Sequence, residues 1–265
     1  MVYRKGMCGQ MRIGLFQMNI SRDFELNFEK VKSSILEAQK NNLNLLALPE
    51  TFLSGYYKSS IKKVSENLSY YFDQLSGMSR EYNIDIYGSL PVKENNNMYN
   101  CGFYFSDGSC IARYKKMHLI GIMGERDIFS EGSEPVVAES KNLGKVGLAI
   151  CYDIRFPELF RKISTKSRVT IVSAMWPKSR IEHWKTLLRA RAIENQCFIV
   201  GVNRVGSDRS NLYSGNSLII DPYGIIILEC DDKEGLYFSD LDISSVEKYR
   251  SDFNVLGDRR IFNLQ

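Results

Sequence analysis

The sequence predicts an α/β fold in which helices pack in layers on β-sheets. Three patterns lead to this prediction: a β-α-β opening, a strand hairpin in the first half, and strands that alternate with helices in the second half. In the opening, an apolar strand at residues 11–18 precedes an amphipathic helix at 26–41 and a second apolar strand at 43–49. A β-α-β unit combined with a hairpin indicates a mixed sheet.

The middle of the chain contains a helix, a strand and the hairpin before it enters a loop. These segments are the helical pattern at 65–82, the strand at 84–92, the hairpin strands at 99–105 and 110–114, and the loop at 116–135. The hairpin strands are joined by Ser106-Asp107-Gly108-Ser109, whose Asp-Gly pair is typical of a tight turn.

The second half alternates strands with helices and ends in another hairpin. Strand patterns lie at 145–150, 169–174 and 197–203, and the late hairpin joins 217–221 to 225–229 through Pro222-Tyr223-Gly224. Pro157 suits the first turn of a helix, where a missing N–H leaves no partner unsatisfied. The segment 184–195 has apolar side chains at helical spacing, which we assign to core packing.

Length and composition exclude several classes of protein. We assign the 265 residues to a short N-terminal extension, residues 1–10, and one domain, residues 11–265. No apolar stretch is long enough to span a bilayer, which argues against a membrane protein. The net charge of +4 is small and the basic residues are scattered among acids, so nucleic-acid binding has no support. The apolar segment 13–16 is too short for a signal-peptide core, and we expect a cytoplasmic protein.

The cysteines and histidines indicate neither a disulfide framework nor a metal site. The six cysteines, at positions 8, 101, 110, 151, 197 and 230, are too dispersed for a small disulfide-rich domain, and we expect reduced thiols. No Cys-x-x-Cys pair occurs, and the two histidines, His118 and His183, are far apart in the sequence. A zinc site is therefore not expected.

Cys151 is the leading candidate for chemistry. It ends the apolar run Val146-Gly147-Leu148-Ala149-Ile150, so a buried strand is expected to deliver it to a sharp turn. A thiol becomes a useful nucleophile where it is held rigidly and lies near groups that favour the thiolate. Most free cysteines are instead small packed residues, so the interpretation depends on partners. His118 and His183 remain candidates for a base in a papain-like arrangement, although His183 is expected at the surface or as a helix cap.

Two other strand ends carry charged residues that could activate the Cys151 thiol without a histidine. Glu50 follows the apolar strand at 43–49, and α/β proteins collect catalytic groups at the carboxyl ends of buried strands. Lys116 follows the strand at 110–114. Taken alone, Glu50 would be expected to reach solvent and Lys116 to be a solvated surface residue.

The joint occurrence of three segments changes this interpretation. LPETFLSGY, RYKKMHL and ICYDIRFPE occur in this order, each at the end of a strand. Together they resemble the nitrilase superfamily of carbon–nitrogen hydrolases, and the resemblance extends from Met11 to residues 257–260. It implies a four-layer α-β-β-α sandwich with two mixed sheets. It also implies an enzyme that needs no metal, nucleotide or organic cofactor.

On this resemblance, Glu50 matches the general base, Lys116 the cationic stabiliser and Cys151 the nucleophile. Lys116 is preferred to Lys115 because the family lysine stands two residues before the histidine, here His118. An ammonium beside the thiol is expected to lower the thiol pKa.

The implied reaction is hydrolysis of a small amide through a thioester. Glu50 would take the thiol proton, and Cys151 would attack the amide carbon. The resulting oxyanion would be held by Lys116 and by the backbone N–H of Tyr152 in the turn after the nucleophile.

The resemblance also indicates residues around the nucleophile. Many family members carry a second glutamate in the loop after the lysine, for which Glu125 is the candidate and Glu131 the alternative. Its role would be to orient the lysine or the substrate amide. Tyr56, Met175 and Trp176 lie where the resemblance implies pocket walls, although core packing is an equal alternative for the last two.

The segment 183–206 looks most like the omega-amidase branch, whose substrate carboxylate would need a cation. Lys178, Arg180 and Arg155 are candidates that the sequence does not rank. A nitrilase, an N-carbamoyl hydrolase or an acyl transferase of the same family would use the same three residues. A non-catalytic scaffold and a redox protein are alternatives from other classes. Because family members usually pair through a helical face, the resemblance implies a homodimer or larger homo-oligomer.

Overall fold

The computed structural model describes residues 10–121 and 124–260 of the chain. The N-terminal extension expected at residues 1–10 lies outside these ranges except for Gln10, which opens the first strand. In chain order the elements are β1 (Gln10–Gln17), α1 (Phe24–Lys40), β2 (Leu45–Ala47), α2 (Lys58–Glu66), α3 (Leu68–Glu81), β3 (Asp85–Glu94), β4 (Asn97–Ser106), β5 (Ser109–Lys115), β6 (Val137–Ser140), β7 (Gly144–Ile150), α4 (Pro157–Ser164), β8 (Val169–Ser173), α5 (Ile181–Asn195), β9 (Phe198–Val202), β10 (Val205–Ser207), β11 (Leu212–Ser214), β12 (Leu218–Ile220), β13 (Ile226–Glu229), β14 (Gly235–Asp242) and α6 (Ser245–Asp252).

Two six-stranded sheets form the centre of the molecule. The first has the strand order β14-β1-β2-β3-β4-β5 and the second the order β13-β12-β9-β8-β7-β6. Strands β1, β2 and β3 are parallel, as are β7, β8 and β9. The outer strands of both sheets pair antiparallel. Both sheets are therefore mixed, while β10 and β11 form a separate antiparallel pair.

The sheets pack on each other and helices cover their outer faces. Ile13 and Leu15 of β1 share a buried cluster with Leu148 of β7, so this cluster lies between the sheets. The alternate face of the first sheet, including Leu46, packs with Val31 of α1. Helices α4 and α5 contact β7 and β9 of the second sheet. Because side chains alternate across a strand, burial of both faces explains the uninterrupted apolar runs. The predicted four-layer α-β-β-α sandwich is confirmed.

Two local predictions are correct in type but differ from the structure in their bounds. The helical pattern at 65–82 belongs to two helices, α2 and α3, which meet at Asn67. The strand expected at 43–49 pairs only over Leu45–Ala47. Beyond it the Leu48 N–H still bonds the Tyr87 carbonyl oxygen of β3 at 2.7 Å, and the Glu50 N–H then lies 3.4 Å from the carbonyl oxygen of Ala174, directly after β8 of the second sheet. This crossing brings Glu50 to the junction of the two sheets.

The sequence patterns also missed β6, β10, β11, β14 and α6. The longest omitted strand is β14, which pairs with all of β1, from Gln10 opposite Asp242 to Gln17 opposite Gly235. Its residues are largely half-buried or exposed, so they lack the apolar signal of the central strands. Within residues 10–121 and 124–260, the helices are all too short or too polar to cross a membrane.

Candidate active site

Cys151 occupies a sharp turn immediately after β7. Its φ of 48° lies in the left-handed region, which costs a residue with a side chain about 1–2 kcal/mol. The thiol is almost completely buried, at 2% exposure. Asp153 helps to hold the turn, because its Oδ2 accepts the Ile150 N–H at 2.9 Å. The predicted delivery of Cys151 from a buried strand to a sharp turn is confirmed.

Glu50 is a buried carboxylate with four hydrogen-bond donors around it. Its Oε1 lies 2.8 Å from Tyr56 Oη, Asn100 Nδ2 and Lys116 Nζ. Its Oε2 accepts the Met175 N–H at 3.1 Å. The expectation for an isolated glutamate at a strand end, that it reaches solvent, does not hold here, since Glu50 is 1% exposed.

Lys116 follows β5, and its side chain is fully buried between two carboxylates. Its Nζ lies 2.8 Å from Glu50 Oε1 and 2.6 Å from Glu125 Oε1. Burial acts to lower the pKa of Lys116, but the negative charges of Glu50 and Glu125 outweigh burial and raise it. The ammonium therefore stays charged. Lys115 instead bonds Glu94 at 2.5 Å and is partly exposed, which agrees with the preference for Lys116.

Glu125 lies in a 3-10 turn, Glu125–Asp127, and is 2% exposed. Its Oε1 contacts Lys116, and its Oε2 accepts the Ile120 N–H at 2.9 Å. The alternative, Glu131, is exposed and pairs with Arg126 at 3.0 Å. Of the two glutamates, the loop thus brings only Glu125 into the cluster with Glu50, Lys116 and Cys151.

The Cys151 thiol is protonated at rest, contrary to one expectation. Burial and the charge of Glu50 raise its pKa well above the usual range. Lys116 and the Met175 N–H act in the expected, lowering direction but do not outweigh them. The thiol therefore has to lose its proton during the reaction rather than before it.

A further buried carboxylate, Asp153, ties the Cys151 turn to the Lys116 segment. Its Oδ2 accepts the Tyr114 hydroxyl at 2.8 Å, and its Oδ1 lies 2.8 Å from His118 Nδ1. The His118 ring also stacks on Phe156 at 3.7 Å. These contacts give His118 a structural place between the two segments. His183 is found elsewhere, with its Nδ1 3.2 Å from Arg155 Nη2.

A cavity of about 910 Å³ opens onto the buried cluster. The residues predicted from the sequence that line it are Glu50, Tyr56, Glu125, Cys151, Tyr152, Met175 and Trp176. Of the candidate cations, Arg155 and Arg180 line the cavity, whereas Lys178 is not among its lining residues. Met175 and Trp176 are both buried in the core and part of the wall, so the two interpretations offered for them are compatible.

Arg155 is held over aromatic rings in the cavity wall. Its guanidinium carbon lies 5.0 Å from the centre of the Trp176 ring and 5.7 Å from that of Tyr152. Such contacts favour a cation and restrict its side chain. The cavity thus presents a positive group at a fixed position.

Sequence patterns missed several residues of the site. Asn100 and Asp153 could have been identified from the sequence, because each is a polar residue within or beside an otherwise apolar strand segment. Arg204, which immediately precedes β10, Arg209 in the β10–β11 connection and Tyr213 of β11 also line the cavity. Their strands are too short to leave a pattern.

The family is decided by a match over most of the chain. Residues 12–251 match the family model described as carbon-nitrogen hydrolase. The chain belongs to the carbon–nitrogen hydrolase family. The nitrilase-superfamily resemblance drawn from three short segments is thereby confirmed.

Two relatives and a solved structure match over almost the full length. The 2-oxoglutaramate amidase of Bacillus subtilis (strain 168) is 36% identical over 89% of this chain and 95% of its own. The 2-oxoglutaramate amidase of Paenarthrobacter nicotinovorans is 36% identical over 95% of this chain and 90% of its own. The CN-hydrolase superfamily protein XC1258 of Xanthomonas campestris, solved with an arsenic adduct in its active site, superposes with a TM-score of 0.88. It is 28% identical, and the match covers 97% of this chain and 99% of that one.

Proposed function

We propose that this carbon–nitrogen hydrolase is an amidase that removes the terminal amide of a small carboxylate-bearing molecule through a thioester on Cys151. The observation that carries the proposal is the convergence of Cys151, Glu50 and Glu125 on the wall of one cavity, with Lys116 buried against both glutamates. The two relatives named 2-oxoglutaramate amidase support the substrate class. That compound carries a carboxylate at one end and an amide at the other.

Glu50 is the base in the first step. Because the pKa of Cys151 is raised, a thiolate has to form as the substrate is attacked, and Glu50 accepts the proton. The sulfur then bonds to the amide carbon, and the carbonyl π electrons move to oxygen.

Lys116 and the backbone of Tyr152 stabilise the resulting oxyanion. An ammonium has three N–H donors, and two of those on Lys116 are directed at Glu50 and Glu125. The third can meet the oxyanion, together with the N–H of Tyr152 in the turn after Cys151. Loss of one such donor typically costs about 3 kcal/mol of transition-state stabilisation.

Glu50 then acts as an acid and as a base again. Its proton passes to the leaving nitrogen, the C–N bond breaks, and ammonia leaves a thioester on Cys151. A water molecule gives a proton to Glu50 and attacks the thioester carbon. Collapse of the second tetrahedral intermediate releases the carboxylic acid and returns the proton to sulfur.

Arg155 is the proposed partner of the substrate carboxylate. It lines the cavity, and the rings of Tyr152 and Trp176 restrict its guanidinium. A planar guanidinium can hold a carboxylate through two parallel hydrogen bonds. Arg180 is the alternative, although it is more exposed.

The test is ammonia release from a panel of amides, nitriles and carbamoyl compounds. Cys151→Ala should abolish turnover and leave the fold intact, whereas Cys197→Ala, at a buried thiol outside the cavity, should retain it. Undiminished turnover in the Cys151 variant would refute the proposal. Absence of both turnover and an acyl adduct with every compound would instead favour a scaffold. Release of an acid from a nitrile or a carbamoyl compound would favour those relatives of the amidases.

The oligomeric state and the compartment are also proposals. Exposed apolar side chains lie on three segments: α5, the β12–β13 turn and the end of α6. They include Ile193, Tyr223, Ile225 and Phe253. Tyr223 stacks on Tyr249 of α6 at 4.0 Å, which joins two of these segments into one face. We propose that this face pairs two copies, which sedimentation velocity would test. In the described ranges the cysteines are free, which agrees with a reducing, cytoplasmic setting.

A further inference from the structure

One phenol stands between the two buried glutamates of the site. Tyr56 Oη lies 2.8 Å from Glu50 Oε1 and also 2.8 Å from Glu125 Oε1. The turn after β2 brings Tyr56 back toward Glu50, with Thr51 and Gly55 both in the left-handed region. An edge-to-face contact with Phe129 at 5.8 Å fixes its ring. Both contacts therefore arise from a constrained position of Tyr56.

If both carboxyls are ionised, the single hydroxyl hydrogen of Tyr56 is too few for its two contacts. A phenol has one hydrogen to donate, and an ionised carboxylate only accepts. Tyr56 can direct its hydrogen along one of its two contacts. In the other contact, two oxygens would face each other at 2.8 Å without a hydrogen between them. A proton on one of the two carboxyls provides the missing hydrogen.

The charges of the buried groups also indicate one additional proton. Glu50 and Glu125 contribute two negative charges and Lys116 one positive charge, and all three side chains are almost completely buried. The other donors to the carboxylates are neutral: the Asn100 amide and the backbone N–H groups of Met175 and Ile120. An uncompensated buried charge is costly, and one further proton makes the cluster neutral.

We propose that Glu50 and Glu125 share one proton through Tyr56, and that Tyr56 relays this proton between them during turnover. The relay deepens the proposed amidase function and rests on it. In the transfer, the Tyr56 O–H bond breaks as its hydrogen moves to Glu50, while the hydrogen of Glu125 forms a new O–H bond to Tyr56. Glu125 becomes the carboxylate and Glu50 the carboxylic acid. The phenol stays neutral and no electron is lost or gained.

This relay would keep Glu50 ready for each of its roles without exchanging a proton with bulk water. Glu50 is ionised, and ready to accept the proton of the thiol or of the attacking water, while the shared proton resides on Glu125. It becomes an acid by accepting that proton, and the shared proton stays in the pair when Glu50 passes the accepted one on. Lys116 contacts both carboxyls and so compensates whichever one is charged. Tyr56 acts through Glu50 and is a positioning and relay residue rather than a wall of the pocket alone.

The first test detects the shared proton without any substrate. Infrared spectra at neutral pH should contain the C=O band of a buried protonated glutamate. The band is assigned to glutamate because it shifts when the protein carries ¹³C-labelled glutamate. The band should vanish in Glu125→Gln, in which the remaining Glu50 is ionised beside Lys116. A wild-type spectrum without a protonated glutamate would overturn the proposal and mean that Tyr56 donates one divided hydrogen bond to two carboxylates. Failure to find a substrate would not affect this measurement.

The second test is kinetic and compares Tyr56→Phe with Tyr104→Phe. Tyr104 is a matched control outside the cavity, since its buried hydroxyl also donates to a carboxylate, Asp85, at 2.8 Å. Tyr56→Phe should lower kcat about 100-fold, as expected for lost proton-transfer catalysis. It should also move the alkaline limb of the pH profile of kcat to lower pH. Without the Tyr56 hydroxyl, the proton shared by Glu50 and Glu125 loses its hydrogen-bonded bridge and is released more easily.

Tyr104→Phe should leave kcat and the pH profile unchanged. A Tyr56 variant with a raised KM and an unshifted pH profile would overturn the relay and leave Tyr56 with a role in substrate contact.

Discussion

Replacing Lys116 with methionine removes the ammonium that separates two buried carboxylates. Methionine is similar in length, so the packing is retained and the change is mainly one of charge. The Nζ lies 2.8 Å from Glu50 and 2.6 Å from Glu125, and the side chain has no exposed surface. Deleting one partner of a buried ion pair costs about 3–5 kcal/mol. Because this ammonium contacts two buried carboxyl groups, we expect a loss at the upper end of this range, about 5 kcal/mol in the free energy of unfolding.

The loss should depend on pH, and the direction follows from proton binding. The charges of Glu50 and Glu125 raise the pKa of Lys116 above its value in the unfolded chain. A group whose pKa is raised on folding contributes its full stabilisation below its unfolded pKa and loses it as pH rises further. The stability that Lys116→Met loses relative to the unsubstituted protein should therefore be constant below about pH 9 and shrink above about pH 10, where lysine in the unfolded chain loses its proton.

Urea unfolding at several pH values measures this, with Lys115→Met as the control. Lys115 is the adjacent residue but pairs with Glu94 at the surface, where an ion pair contributes at most about 1 kcal/mol. Its variant should lose little stability at any of these pH values. Equal losses in the two variants, or an absent pH trend in Lys116→Met, would refute the view that Lys116 compensates buried charge.

Two further predictions concern the thiol and the substrate. Because Glu50 raises the pKa of Cys151 and Lys116 lowers it, Glu50→Gln should increase the thiolate fraction at a given pH and Lys116→Met should decrease it. Ultraviolet absorbance of the thiolate measures both, and shifts in the same direction would contradict the charge assignment. Arg155→Met should raise KM about 10- to 100-fold for an amide with a distal carboxylate, from the loss of a charged hydrogen bond. An uncharged amide should be little affected, and equal effects on both substrates would count against Arg155 as the carboxylate partner.

Local sequence patterns determined much of the fold and the centre of the site. Alternation and apolar runs identified the central strands, and the Asp-Gly pair marked the hairpin between β4 and β5. Pro157 begins α4, as its missing N–H requires. Glu50, Lys116 and Cys151 could be recognised because each lies next to a strand whose sequence signal is strong. These features depend on residues close in the chain, which is the information that spacing and composition contain.

The tertiary structure decided which groups meet and how they affect one another. Spacing within a loop did not determine that Glu125 turns inward while Glu131 pairs with Arg126 at the surface. The direction of the Cys151 pKa shift required the depth of burial and the nearby charge of Glu50, both set by the packing of two sheets. The placement of one phenol against two carboxyls likewise brings together two segments far apart in the chain, residues 50–56 and the turn at Glu125. Proton sharing depends on distances of a few ångströms between such segments, and those distances exist only once the sheets have packed.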